Sequence, residues 1–418
     1  MVVGRGREGG PRESSVLSVR IAVIGAGLAG LAAADALRRQ GVDVVVLEAR
    51  DRVGGRVWSV PFSGGVAERG AEFVFPGDDL LHATARRMGL RLYRKGTHYG
   101  DREPRGGLPV SRAELEKGVA RLGEAVLEGT VLEALGSLRL PQEVAEAIVS
   151  RVEVSSAYPA ADLDAAVLAE TGAGFGQFDT FGVQGGNSRL AEALAAPLGP
   201  ALLTATPVAE VAWNRRSVAV RAPGLELWAN GAVVATPAAP TAAIRFDPPL
   251  PVPKARALAQ VRYGHAAKLH VPLLAPVEPS AVLAVPARYW SYTQLGPDGR
   301  PAPFAATFAG TPGALERLRV WAGPGTWAAA VASLRPELEL DLATPLLSTW
   351  HDDPWAQGAY SAPSRSSPLD AAELARPVGP LAFAGEHTAG DWHALMEGAL
   401  RSGVRAAEDL LGGEKTHR

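Results

Sequence analysis

The sequence predicts an α/β fold, and three stretches carry that expectation. Residues 19–56 run from an apolar strand through closely spaced glycines into a helix, a second strand and a glutamate. Val208 to Thr236 alternates apolar and polar residues and reads as a β-meander. Gly379 to Leu411 reads as strand, turn and helix. Strands that alternate with helical runs call for a parallel sheet covered by helices.

The first stretch is the most specific. Val19-Arg20-Ile21-Ala22-Val23-Ile24 is a short β-branched run of the kind buried in parallel sheets. Leu28 to Gln40 is rich in alanine and leucine and stops at Gly41. Asp43 to Leu47 is a second strand, closed by Glu48, 18 residues past Gly30. Gly25, Gly27 and Gly30 have G-x-G-x-x-G spacing, a weak signal alone in a chain with 47 glycines. Placed between strand and helix, with an acidic residue closing the next strand, it predicts a Rossmann-like dinucleotide site. Gly25 permits the tight turn, and Gly27 lets the backbone approach a pyrophosphate. Leu28 and Ala29 open the helix whose free N–H groups face the phosphates. Gly30 allows close helix–strand packing. Glu48 can accept hydrogen bonds from ribose hydroxyls, and its charge disfavours a 2′-phosphate. Beyond Ala49, the turn Gly54-Gly55 with Arg50 and Arg56 adds N–H groups and positive charge.

Further along, Pro76-Gly77-Asp78-Asp79 places an aspartate to cap the next helix. The pattern is then helical to about Thr180, with a capping box at Ser111 and Glu114. Gly185-Gly186-Asn187 opens a helix over Ser188 to Leu198. The meander divides into strands at Val208 to Trp213, Ser217 to Arg221, Leu225 to Trp228 and Ala232 to Thr236. Leu258 to Thr349 mixes strands with proline-rich loops.

Composition narrows the function. The chain has 418 residues and a net charge of −2, enough for two domains and without the basic excess of a nucleic-acid binder. It has no cysteine, which excludes disulfides, thiolate nucleophiles and cysteine-bound metals. The eight histidines lack ligand spacing, so no metal site is expected. Residues 1–17 carry charge but no apolar core and read as a disordered leader rather than a signal peptide. No apolar run approaches membrane-spanning length, so a soluble, cytoplasmic chain is expected. Lysines are few: Lys95, Lys117, Lys254, Lys268 and Lys415.

The segment from Glu48 to Arg56 resembles the flavin-containing amine oxidases, which include monoamine, polyamine and L-amino acid oxidases. Glu68-Arg69-Gly70-Ala71-Glu72-Phe73, Trp350 to Ser361, Phe383-Ala384-Gly385-Glu386-His387-Thr388 and Met396-Glu397-Gly398-Ala399-Leu400 carry the same resemblance. It implies a Rossmann-like FAD-binding domain made of three chain segments, 18–77, 180–257 and 350–412. An α+β substrate domain is inserted as 78–179 and 258–349, and 413–418 form a tail. The resemblance implies that Gly70, Ala71, Glu72 and Phe73 face the flavin, and that the backbone of Val208 meets the adenine. Trp350 would contact the flavin, and Gly385 and Glu386 its ribityl or phosphate part. The helix start at Leu395 and Met396 would face the pyrimidine edge, where reduced flavin carries negative charge.

Lys268 matches the strand lysine that relatives bond through water to flavin N5. His270, on the same face by strand periodicity, reads as polar filler. Tyr360 would be one wall of an aromatic cage. Leu395 stands where monoamine oxidases have the second cage tyrosine, and Trp392 could supply that face instead. Tyr289-Trp290-Ser291-Tyr292 is a candidate for a further pocket wall. Ala359 stands where monoamine oxidases bond a cysteine to FAD, so non-covalent FAD is implied. The implied reaction moves a hydride from the α-carbon of a small amine to N5. It gives an imine, then a carbonyl product, and oxygen is reduced to hydrogen peroxide. A monomer or homodimer is expected. An L-amino acid oxidase is the alternative, but it needs a pocket arginine for the carboxylate, and the sequence does not place one. A flavin desaturase and a catalytically silent flavin fold are weaker alternatives.

Overall fold

The computed structural model describes residues 18–100, 102–170 and 179–413. The expected leader and most of the expected tail lie outside them. Eight elements position the site: β1 (Ser18–Ile24), α1 (Leu28–Arg39), β2 (Val44–Leu47), β3 (Leu225–Val234), β4 (Ala266–Pro272), β5 (Tyr289–Thr293), β6 (Leu381–Phe383) and α2 (Met396–Gly413).

β1 lies parallel between β2 and β3, and β6 lies parallel beyond β3. The register aligns the strand ends. Ile24 is opposite Leu47 and Val234, and Val234 is opposite Phe383. Gly25, Glu48, Ala235 and Ala384 therefore follow along one carboxyl edge, the place where open parallel sheets hold ligands. Alternation explains the two buried faces. Ile21 and Val23 pack toward α1 and α2 with Leu31, Leu37 and Leu400. Ala22 and Ile24 pack toward the meander with Val211, Val220 and Leu227. The helices lie close because a Cβ on Gly403 would sit 2.1 Å from the Ala29 carbonyl oxygen.

The meander departs from the expected division. Leu225 to Trp228 and Ala232 to Thr236 are not separate strands. β3 runs unbroken through Asn230-Gly231, pairing antiparallel with Val218–Ala222 and parallel with β1. Gly231 makes no turn; its missing side chain leaves room for the Pro380 carbonyl, 3.0 Å from where a Cβ would be.

A second sheet has six strands in the order Leu346–Thr349, β4, Phe304–Gly310, β5, Ser280–Ala284 and Glu103–Arg105. The segment expected to be helical to Thr180 thus supplies an edge strand, besides a short strand at Leu92–Arg94. Along β5 the side chains alternate. Tyr289 enters the cluster around Trp327, while Trp290 and Tyr292 enter the opposite one beside the helix Gln142–Ser156.

The capping box at Ser111 and Glu114 forms as expected. A second one, Thr130 with Glu133, was equally readable from its T-x-x-E spacing. Asp78 occupies the cap position of helix Asp79–Arg87, but its carboxylate accepts from the Phe75 N–H instead. The helix N–H groups of Leu80 and Leu81 donate to Glu397, at 3.0 and 2.8 Å. No helix among the described residues is long and apolar enough to cross a membrane.

Gly403→Ala should destabilise the protein by about 1–3 kcal/mol, because the added methyl must push α1 and α2 apart. Urea unfolding of the apo-protein checks this; an unchanged first transition would mean that the helices can separate freely.

Candidate active site

A cavity of about 910 Å³ starts at the carboxyl edge of the parallel sheet and ends beneath the second sheet. That is at the large end of the range for small-molecule sites, about 300–1,000 Å³. Gly25, Gly27, Leu28, Ala29, Glu48, Ala49, Arg50, Gly54, Gly55 and Val208 line the first end. Arg56, Gly70, Ala71, Trp350, Gly385, Glu386, Leu395 and Met396 line its middle, and Glu72, Phe73, Lys268 and Tyr360 the far end.

Two candidates lie elsewhere. Gly30 is behind the wall, where a Cβ would be 1.9 Å from the Gly25 oxygen, so it serves packing alone. Trp392 is corrected as a wall residue: it does not line the cavity, and its ring lies 4.4 Å under the Arg401 guanidinium. The adjacent peptide turns at Ala394, which has positive φ, so Leu395 and Met396 face the cavity instead.

The glycine-rich end is a cradle. Gly25, Gly54 and Gly55 have φ of +101°, +96° and +58°, values that L side chains rarely adopt. Gly27 has open space where a Cβ would point. The Glu48 carboxylate accepts from the N–H groups of Ala26 (2.7 Å) and Arg50 (2.9 Å), which fixes it at the end of β2. Arg50 also pairs with Asp353, at 2.5 Å.

The middle joins the first and last segments of the chain. Arg56 donates to Glu386 (2.9 Å) and to the Ala359 carbonyl (2.7 Å). Glu386 also accepts from the Ser361 hydroxyl (2.6 Å) and the Ala394 N–H (2.8 Å). Burial pushes the Glu386 pKa up, but Arg56 and these donors outweigh it, and the net direction is down. A Cβ on Gly70 would meet the Arg56 oxygen at 1.9 Å and the Trp350 ring at 3.1 Å, so only glycine allows this approach. Trp350 is fixed by its indole N–H, 2.9 Å from the Arg69 carbonyl.

At the far end a buried carboxylate collects cations. Glu72 accepts from Lys268, from the Tyr292 hydroxyl and from Lys95 (3.1 Å). Lys268 also donates to the Gly70 carbonyl at 3.0 Å. Burial alone would raise the Glu72 pKa, but the two ammoniums hold it well below the ordinary carboxylate value. Burial lowers Lys268 despite Glu72, whereas the charges around Lys95 outweigh its burial and raise it. His270 lies between Phe62 and Phe304, away from the cavity. Burial and Lys268 bring its pKa down to about 3, so it is neutral filler.

Of the stretch Tyr289 to Tyr292, Trp290 and Tyr292 line the cavity and stack at 4.2 Å. Tyr289 does not; its hydroxyl donates to the Ala330 carbonyl on the other face, at 3.0 Å. Phe73 is 5.5 Å from both stacked rings. Tyr360 donates to the Ser155 carbonyl at 2.6 Å. Lys95 and Arg102 were missed by sequence reasoning. Only the scarcity of lysine pointed toward the first, and nothing local distinguished the second among many arginines.

Residues 28–411 match the family described as flavin containing amine oxidoreductase. The chain belongs to that family. It is 28% identical to the putrescine oxidase of Kocuria rosea, covering 94% of this chain and 95% of the relative. It is 25% identical to the pig flavin-containing amine oxidase B, covering 94% and 86%. The fold matches a putrescine oxidase structure with a TM-score of 0.80 at 24% identity, over 95% of this chain and 99% of the other.

The residues fit the flavin cofactor of the family. An open cradle at Gly27, a fixed carboxylate at Glu48 and a continuous cavity to Lys268 suit FAD. With no cysteine in the sequence, no cysteinyl bond to it can form.

Gly27→Ala and Gly30→Ala should separate ligand approach from packing. Gly27→Ala leaves apo-protein stability within about 0.5 kcal/mol, as for a substitution in open space, yet weakens FAD binding. Gly30→Ala costs about 1–3 kcal/mol without ligand. Thermal unfolding of the apo-proteins and FAD titration read both. Equal losses of stability would show that Gly27 also serves packing.

Proposed function

We propose that this chain oxidises a small amine by hydride transfer from its α-carbon, giving an imine that hydrolyses to a carbonyl product. Bound flavin supplies the hydride acceptor and, once reoxidised by oxygen, yields hydrogen peroxide. The observation that carries this reading is the buried Lys268 ammonium at the cavity's far end, held by Glu72 and the Gly70 carbonyl.

So fixed, Lys268 can orient a water and hold or move a proton at the reacting centre. Glu72 is fully engaged by its three donors and is a poor general base. An amine that binds unprotonated needs no strong base for this step. Phe73, Trp290, Tyr292 and Tyr360 line this space and exclude water from it, which favours a near-attack arrangement. Leu395 leaves a wide, apolar wall, which suits bulkier or secondary amines.

A peroxide assay with a panel of amines tests the reading: one peroxide and one carbonyl product should form per oxygen consumed. Lys268→Met should keep the fold and bound FAD while slowing turnover on the order of 10²–10⁴-fold. Stopped-flow traces assign the loss to flavin reduction or reoxidation. Wild-type rates in both half-reactions would remove Lys268 from the mechanism.

A further inference from the structure

Arg102 is a buried guanidinium in the cavity wall, 2% exposed. It lies 3.9 Å from the Trp290 ring and 4.3 Å from the Tyr99 ring. Its Nε donates to the Tyr99 carbonyl (3.1 Å) and its Nη1 to the Ser155 hydroxyl (3.2 Å). The Tyr99 phenol also interacts with it. None of these acceptors is a carboxylate, and no ion pair joins Arg102 to one among the described residues. A charge taken out of water without a counter-ion is costly, and a guanidinium presents five N–H donors in a planar fork that matches a carboxylate.

Its position links it to the reacting end. Trp290, against which Arg102 lies, stacks on Tyr292, whose hydroxyl donates to the Glu72 carboxylate that holds Lys268. Ser155, which accepts from Arg102 through its hydroxyl, accepts from Tyr360 through its carbonyl. Arg102 thus shares the wall of this cavity with Tyr360, Trp290 and Lys268.

We propose that Arg102 is an anion subsite, and that the substrate is an amine carrying a carboxylate. The proposal rests on the amine-oxidation reading and names the substrate class of the same site. A diamine would bring a second ammonium toward the guanidinium; a carboxylate supplies the missing charge.

The test uses the FAD-loaded enzyme. Flavin reduction is compared between phenylalanine and phenethylamine, which differ only by the carboxylate, and across β-alanine and 4-aminobutyrate, which vary its distance from the amine. Benzoate is titrated as a probe needing no turnover. At least one carboxylate-bearing amine should be preferred over its carboxylate-free counterpart, and benzoate should compete with it and perturb the flavin spectrum. Arg102→Met should lower the acid-to-amine preference on the order of 10²-fold and abolish the benzoate signal. Arg102→Lys, keeping the charge without the fork, should recover part of both.

A wild-type preference for the carboxylate-free amines, or no benzoate binding, would overturn the subsite. So would an ultraviolet signal of ionised Tyr99 at neutral pH, lost in Tyr99→Phe, because the guanidinium would then have its anion within the protein. Absence of reduction by every amine and amino acid would instead defeat the oxidase reading, and the benzoate titration would still decide on Arg102.

Discussion

The far end of the cavity depends on one ionised carboxylate. Glu72 is buried, yet it receives Lys268 from β4, Tyr292 from β5 and Lys95 from the short connection between the sheets. Two buried ammoniums without it would each cost several kcal/mol in desolvation. With it they become a clamp that ties the Gly70 to Phe73 segment to the second sheet. Because the lysines hold the Glu72 pKa far down, the carboxylate stays ionised across the ordinary pH range.

A second ion pair has the corresponding task at the middle of the cavity. Arg56 follows the second glycine turn, and Glu386 follows β6, 330 residues later. Their contact, together with Ser361 and Ala394, draws three distant stretches around one space. The register of the parallel strands then fixes where that space begins, because Gly25, Glu48 and Ala235 all leave the sheet at the same edge. The cradle and the lysine are the two ends of one continuous cavity.

What was legible in the sequence was local. The glycine turn, the carboxylate closing β2 and the capping box at Ser111 are set by residues a few positions apart, and backbone chemistry alone demands them. The resemblance supplied Arg56, Glu386 and Lys268, and the cavity brings them together. The illegible parts involve partners distant in the chain. The helix cap expected of Asp78 comes from Glu397, 316 residues beyond Leu81. Asn230-Gly231 has the composition of a turn, yet strand pairing on both sides keeps it extended. Trp392 turns outward to Arg401, and Arg102 turns inward beneath Trp290. Neither choice has a local signature, since each depends on what the rest of the fold places opposite.

The most direct test of the account is an anaerobic mixing experiment on the FAD-loaded protein. An amine that occupies the space between Tyr360 and Lys268 must deliver two electrons to the flavin. The absorbance of oxidised flavin should then bleach in a saturable, single-turnover phase and return when oxygen is admitted. A flavin that dithionite reduces but that stays oxidised with every amine and amino acid tried would contradict the account, leaving a flavin-binding fold whose cavity serves another end.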